Sequence, residues 1–181
     1  GIAGPYCTKM LADFGAEVIK IERPHRGDPT RRLGPFPGDE PHPEKSGTFF
    51  YLNTNKKSLT LNLESRKGVR IFKELVQQAD ALVESFQPGA MAKRSLSYAA
   101  LKRIKRDLVM LSISWFGQTG PYRDYAATSF TVYGLGGAMS TMRPATRPQQ
   151  KPVAEGGLQA EYSTGVLSYI ALLGALLDRD N

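Results

Sequence analysis

Gly4-Pro-Tyr-Cys-Thr-Lys-Met-Leu-Ala-Asp-Phe-Gly-Ala-Glu-Val-Ile-Lys-Ile-Glu-Arg-Pro24 is the stretch on which the fold turns. Pro5 suits a first helical position, where its missing N–H has no partner to lose and its φ is already helical. Met10, Leu11 and Phe14 follow at helical spacing, and Gly15 stands where a helix C′ residue needs φ > 0. Ala16 to Glu22 then reads as a short apolar strand carrying Val18, Ile19 and Ile21. A helix feeding a buried strand through one glycine is half of a βαβ unit, here without its opening strand.

The rest of the chain repeats the alternation. Arg26 to Gly47 is rich in Gly, Pro and charge and reads as a long surface loop. Thr48 to Leu52 and Ser58 to Leu63 are predicted strands around the polar turn Asn53 to Lys57. Ser65 is the predicted N-cap of a helix through Gln78, with Val69, Phe72, Leu75 and Val76 facing inward. A strand at Asp80 to Glu84, a helix opened by Pro88 and reaching Arg94, and a helix at Tyr98 to Ile104 follow. Next come a strand at Leu108 to Ser114 and the glycine-containing loop Phe116 to Tyr122. Ser129 to Thr141 is a predicted helix weakened by three glycines, Arg143 to Gly157 a polar loop, and Gln159 to Leu177 the longest helical pattern. Strands alternating with helices predict an α/β fold with a Rossmann-like parallel sheet and flanking helices.

With 181 residues, 41% hydrophobic and 23% charged, the chain fits one domain with a single sizeable core. Its net charge of +7 points to an anionic partner. Nucleic acid fits poorly, because the Lys and Arg residues are spread over several elements and do not interleave with aromatics on one face. The single cysteine, Cys7, excludes an internal disulfide framework and is consistent with a reducing, cytoplasmic setting. The longest apolar run, Gly165 to Leu177, falls short of the about 20 residues of a spanning helix, so no membrane is expected. The chain opens at Gly1 inside a Gly/Pro turn and stops straight after an apolar helix, which reads as part of a longer polypeptide.

Most chemistries find no residues here. His25 and His42 share one polar loop without a metal-ligand spacing, so no metal is expected. There is no Gly-x-Ser-x-Gly, and Gly134-Leu-Gly-Gly137 lacks the strand-to-helix context of a dinucleotide loop. Two features remain. Lys20, Arg23, Arg26, Arg31 and Arg32 cluster at and after the carboxyl end of a strand, where open α/β sheets bind ligands and where arginine can grip phosphate. Glu161 opens the most apolar helix within Gly156-Gly-Leu-Gln-Ala-Glu-Tyr-Ser-Thr-Gly165. It is either a dipole-stabilised helix-end carboxylate or a nucleophilic or acid/base carboxylate at a glycine-lined site.

Taken together, Ala3-Gly-Pro5, Leu11 to Glu22, Gly27 to Arg31, Asn53 to Ser58, Asp80 to Gly89 and Ser112 to Tyr122 resemble the class III CoA-transferases, in order and spacing. That family contains formyl-CoA transferase, carnitine CoA-transferases and 2-methylacyl-CoA racemase. The resemblance implies the N-terminal portion of a Rossmann-like large domain whose full-length subunits interlock as a homodimer. It also implies a substrate, coenzyme A or an acyl-CoA, whose adenosine end meets Arg23 and Leu61. Ser85, Phe86 and Lys93 follow the Asp80 strand, with Lys93 at the place of a phosphate-binding arginine. Ile2, Ala3 and Phe116 then line the pantetheine and thioester.

By the same resemblance Glu161 takes the place of an aspartate nucleophile, with Gly165 matching a glycine four residues later. Such a carboxylate forms a mixed anhydride with the acyl group, then an enzyme–CoA thioester that a free carboxylic acid resolves. Ser85 replaces an asparagine, Trp115 a glycine, and Ala127-Thr-Ser129 a Gly-Tyr-Asp segment. Thr128 stands where the racemase branch has its histidine, which argues against racemisation. Two readings stay open: a CoA-transferase using Glu161, or a non-catalytic CoA-binding half of a larger or fused protein.

Overall fold

The structure, a computed structural model, describes residues 1–142, 151 and 156–179, so most of the loop read at Arg143 to Gly157 lies outside the described residues. Helix α1 (Ala3–Asp13) begins two residues before Pro5. Pro5 therefore sits in the first turn, where its absent N–H still leaves no intrahelical bond unmade. Gly15 adopts φ +99 and lets the chain reverse into β1 (Val18–Glu22). The predicted turn from helix to strand is present.

Between β1 and the next helix the loop makes two 3-10 turns, Pro29–Arg32 and Pro37–Asp39. The strand read at Thr48 to Leu52 is a helix instead, α2 (Gly47–Asn53). Its aromatic, apolar run favours a strand by propensity, but Ser46 caps it by accepting from Phe49 N at 3.0 Å. The Ser46 hydroxyl donates in turn to Thr30 O (2.8 Å) and Leu33 O (2.5 Å), so the preceding loop fixes where the helix starts. Strand β2 (Lys56–Thr60) begins inside the predicted turn.

Helix α3 (Arg66–Val76) starts at the predicted cap, Ser65, which accepts from Gly68 N at 3.0 Å. After it come β3 (Ala81–Glu84), α4 (Ala90–Lys93), α5 (Tyr98–Lys102) and β4 (Val109–Ser112). The single helix predicted from Ser129 divides at Gly136-Gly137 into α6 (Ser129–Leu135) and α7 (Ala138–Thr141). Gly137, at φ +76, breaks the run. Helix α8 (Gln159–Arg179) closes the chain.

The fold class is as expected, α/β with parallel strands and flanking helices. The strands form two parallel pairs, β1 with β2 and β3 with β4. The other edges of β1 and β3 carry no strand among the described residues, and a cavity of about 450 Å³ lies between them. The core, including Leu61, Phe72, Val76, Leu96, Leu101 and Leu108, packs α3 to α5 beneath the strands.

Helix α8 packs along α1, and Gly165, Ser168 and Leu172 are its buried residues. It is longer than the apolar run suggested. At 21 residues and mean hydropathy 1.3 it is long and apolar enough to cross a membrane by length and composition. Leu167, Ile170 and Leu177 on its outer side are exposed in this chain.

Candidate functional site

The close fit of α8 on α1 places the candidate nucleophile. A Cβ at Gly165 would lie 3.0 Å from Ala3 O and 2.9 Å from Tyr6 Cδ1, so only glycine allows the helices to approach this closely. Tyr162 meets Tyr6 edge-on, with ring centroids 4.9 Å apart, and fixes the rotation of α8. Glu161, one turn before Gly165, then projects from the first turn of α8 into a cavity of about 500 Å³.

Ile2, Ala3, Ser85, Phe86, Lys93 and Glu161, six of the residues singled out from sequence, all line this cavity. Ile2 and Ala3 come from the start of α1, Ser85 and Phe86 from the turn after β3, and Lys93 from the end of α4. Glu84, buried at the end of β3, accepts from Phe86 N at 2.8 Å and sets that turn. Phe86 also carries the Arg94 guanidinium 5.6 Å from its ring centroid.

Three other residues singled out from sequence lie outside the lining of this cavity. Arg23 lines the neighbouring cavity between β1 and β3, along with Arg26 and Arg32. Leu61 is buried in the core with Phe72 and Val76 and lines neither cavity. Phe116 lines neither cavity, and its ring is 6.4 Å from that of Tyr125, which lines the Glu161 cavity. The two cavities adjoin: Gly1, Ser85 and Phe86 line both, with Arg23 in one and Glu161 in the other.

Two further residues stand beside Glu161, one of them, Ser129, in the segment that departs from the family's Gly-Tyr-Asp. Ser129, the first residue of α6, donates its hydroxyl to Glu161 Oε2. Arg123, paired with Asp124 at 3.2 Å, adds a cation to the same cavity.

Behind the β1 cavity lies a polar framework. Arg31 grips Glu22 with Nε to Oε2 at 2.8 Å and Nη2 to Oε1 at 3.0 Å, while its guanidinium lies 3.7 Å from the Phe49 ring centroid. The bond from Arg31 outweighs burial and holds the Glu22 carboxyl below the ordinary carboxylate range. Burial opposes the charge on Asp28, but Lys20, 2.5 Å away, and Thr30 outweigh it and keep that carboxyl low as well. Arg31 and Lys20, counted from sequence in a ligand-binding basic cluster, are therefore committed to internal partners.

Lys56 reaches under α1. Its ammonium donates to Pro5 O and Leu52 O, each at 2.7 Å, and to Asn53 Oδ1 at 3.2 Å. Burial pushes it down to about 7, with Lys20 adding to the shift and Asp28 opposing it. The Cys7 thiol beside it is fully buried, and burial pushes it up to about 11. That is the behaviour of a packing residue and not of an exposed nucleophile. Among the described residues no group of three or more His, Cys, Asp or Glu side chains could hold a metal ion.

The α/β chain thus sets a carboxylate, Glu161, in one cavity and three arginines, Arg23, Arg26 and Arg32, in the adjoining one. The family model for CoA-transferase family III matches residues 1–181, and the chain belongs to that family. It is 38% identical over 183 residues to the succinyl-CoA–L-malate CoA-transferase beta subunit of Chloroflexus aurantiacus, covering 99% of this chain and 43% of that protein. To the succinyl-CoA:glutarate CoA-transferase of Mus musculus it is 38% identical over 180 residues, covering 98% of this chain and 39% of the relative. A CAIB/BAIF family protein from Brucella suis superposes with a TM-score of 0.88 at 36% identity, covering 99% of this chain and 46% of that one. The chain thus spans less than half the length of the relatives it matches.

Proposed function

We propose that this chain provides the CoA site and the nucleophile of a CoA-transferase that moves CoA from an acyl-CoA to a dicarboxylic acid. The observation that carries the reading is the convergence of Glu161 with Ile2, Ala3, Ser85, Phe86 and Lys93 on one cavity, which shares Gly1, Ser85 and Phe86 with the cleft that holds Arg23. A ligand as long as CoA suits two adjoining cavities, with its phosphates toward Arg23 and Lys93 and its thioester beside Glu161.

The chemistry follows from the carboxylate. One Glu161 oxygen attacks the thioester carbonyl, CoA leaves as thiolate, and an acyl–glutamyl mixed anhydride forms. The thiolate then attacks Glu161 Cδ and releases the donor acid, leaving an enzyme–CoA thioester. The acceptor carboxylate reverses these two steps with its own acyl group. Each carbonyl attack is an exchange between carboxylate and thiolate, so neither a metal nor a redox cofactor is called for. Arg123 offers a cation to the second carboxylate of the acceptor, in keeping with the malate and glutarate in the relatives' names. As in the family resemblance, the active form is an interlocked homodimer.

The test is to mix the intact protein with succinyl-CoA and analyse the Glu161 peptide by mass spectrometry. A CoA or succinyl adduct on Glu161, lost in Glu161→Gln, is expected. CoA binding without any adduct refutes the transferase and leaves a non-catalytic CoA-binding module.

A further inference from the structure

The hydroxyl of Ser129 is bonded to Glu161 Oε2 although 32 residues separate the two in sequence. Ser129 is not needed to cap its own helix. That role belongs to Thr128, whose hydroxyl accepts from Thr131 N while Thr131 Oγ1 accepts from Thr128 N. The Ser129 hydroxyl is thus left to Glu161, and it is the one hydrogen-bond donor to that carboxylate among the described residues. Both groups are half-buried, and α6 packs directly on α8.

A glutamate has one more side-chain torsion than an aspartate, and its two oxygens exchange places by rotation unless one is held. We propose that Ser129 is a catalytic donor that selects which oxygen of Glu161 reacts, a role that rests on Glu161 being the nucleophile. With Oε2 bonded to the hydroxyl, Oε1 is the oxygen that attacks the acyl carbon and becomes the bridge of the anhydride. When the CoA sulfur bonds to Cδ, the carbonyl electron pair moves onto Oε2, and the hydroxyl already there stabilises the new charge. Collapse of that intermediate breaks the Cδ–Oε1 bond, and Oε1 leaves in the donor acid. The acceptor then delivers one of its own oxygens to Cδ. Over a full cycle Oε1 is replaced and Oε2 stays.

Oxygen labelling reads this directly. The intact protein is turned over many times with succinyl-CoA and glutarate carrying oxygen-18 in both carboxylates, and in parallel with succinyl-CoA and labelled succinate. The Glu161 peptide is then weighed. One heavy oxygen is expected in the wild type and two in Ser129→Ala, whose carboxylate is free to rotate between cycles. Ser129→Ala is also expected to lose about a hundredfold or more in kcat with little change in the KM for acyl-CoA, and Ser129→Thr to restore most of it. Two heavy oxygens in the wild type, or a Ser129→Ala enzyme with wild-type kcat, overturn the role of Ser129 and leave Glu161 as nucleophile. Turnover without label at Glu161, turnover retained in Glu161→Gln, or no turnover with either substrate pair overturns the nucleophile itself, and the role of Ser129 with it.

Discussion

Replacing Gly165 by alanine tests whether the contact between α1 and α8 places Glu161, the proposed nucleophile. The added Cβ would meet Ala3 O at 3.0 Å and Tyr6 Cβ at 3.1 Å. Ala3 O is backbone inside α1 and cannot turn aside as a flexible side chain could. To regain about 3.5 Å, α8 must retreat by about half an ångström. Overpacking of this kind costs about 1–3 kcal/mol, while alanine returns about 1 kcal/mol of helix propensity, so a net loss of about 1 kcal/mol is expected. The functional effect is larger than the structural one. A misplacement of about 1 Å costs roughly a hundredfold in a positioned reaction, so half of that costs about tenfold in kcat. Gly174 supplies the control, since it lies on the same helix and a Cβ there has nothing within 4 Å. Gly174→Ala is expected to gain up to about 1 kcal/mol and to keep its activity. Urea midpoints and steady-state turnover, measured on both variants, decide the matter. If Gly165→Ala behaves like Gly174→Ala, the close approach does not set the position of Glu161.

Lys56 makes stability depend on pH in a stated direction. Its folded value of about 7 lies below its ordinary 10.5, so between these limits the unfolded chain binds more protons and stability rises with pH. Cys7, raised from 9.0 to about 11, acts in the opposite direction above pH 9, so the window for Lys56 is about pH 7 to 9. There the wild type is expected to gain up to about 1 kcal/mol per pH unit over Lys56→Met in urea unfolding, a figure reduced for partial solvent access. Equal slopes for the two proteins would refute it. Arg31→Lys retains the charge opposite Glu22 but loses the two-pronged bond and the stacking on Phe49, with an expected cost of about 1–3 kcal/mol. Because Glu22 is held below the ordinary carboxylate range, its contribution is present above about pH 4.5 and is lost as the pH falls through its folded value. Acid unfolding followed by circular dichroism is therefore expected to begin at higher pH in Arg31→Lys.

The sequence was most legible where one local rule sufficed. Gly15 between a helical and an apolar run located the α1–β1 turn, and Ser65 located the start of α3. It misled where a distant group decides the local conformation. Gly47 to Asn53 has the aromatic content of a strand, and it is helical because Ser46 is bonded to carbonyls 13 and 16 residues away. The basic cluster after β1 was overcounted for the same reason, since sequence cannot show that Arg31 and Lys20 face Glu22 and Asp28. For the site, the resemblance named residues that meet in one cavity. No spacing rule connects Ser129 with Glu161, because α6 and α8 are neighbours only in space.

The placement of α1 joins these observations. Its cap residue Ile2 and first residue Ala3 line the cavity of Glu161, while Gly4, Pro5 and Thr8 on the same helix line the cleft of Arg23. Lys56 ties Pro5 O of this helix to Leu52 O and Asn53 of α2, and Gly165 seats α8 on its other side. The separation between the cationic end and the carboxylate end is thus set by one short helix held from below and above. A ligand anchored through its phosphates at Arg23 would have its far end delivered to Glu161 with little freedom left to lose. Anchoring of this kind spends the binding energy of a remote group on orientation at the reacting bond. A change at Lys56, which lines the Arg23 cavity but not that of Glu161, should therefore alter kcat as well as stability when turnover and urea midpoints are measured together.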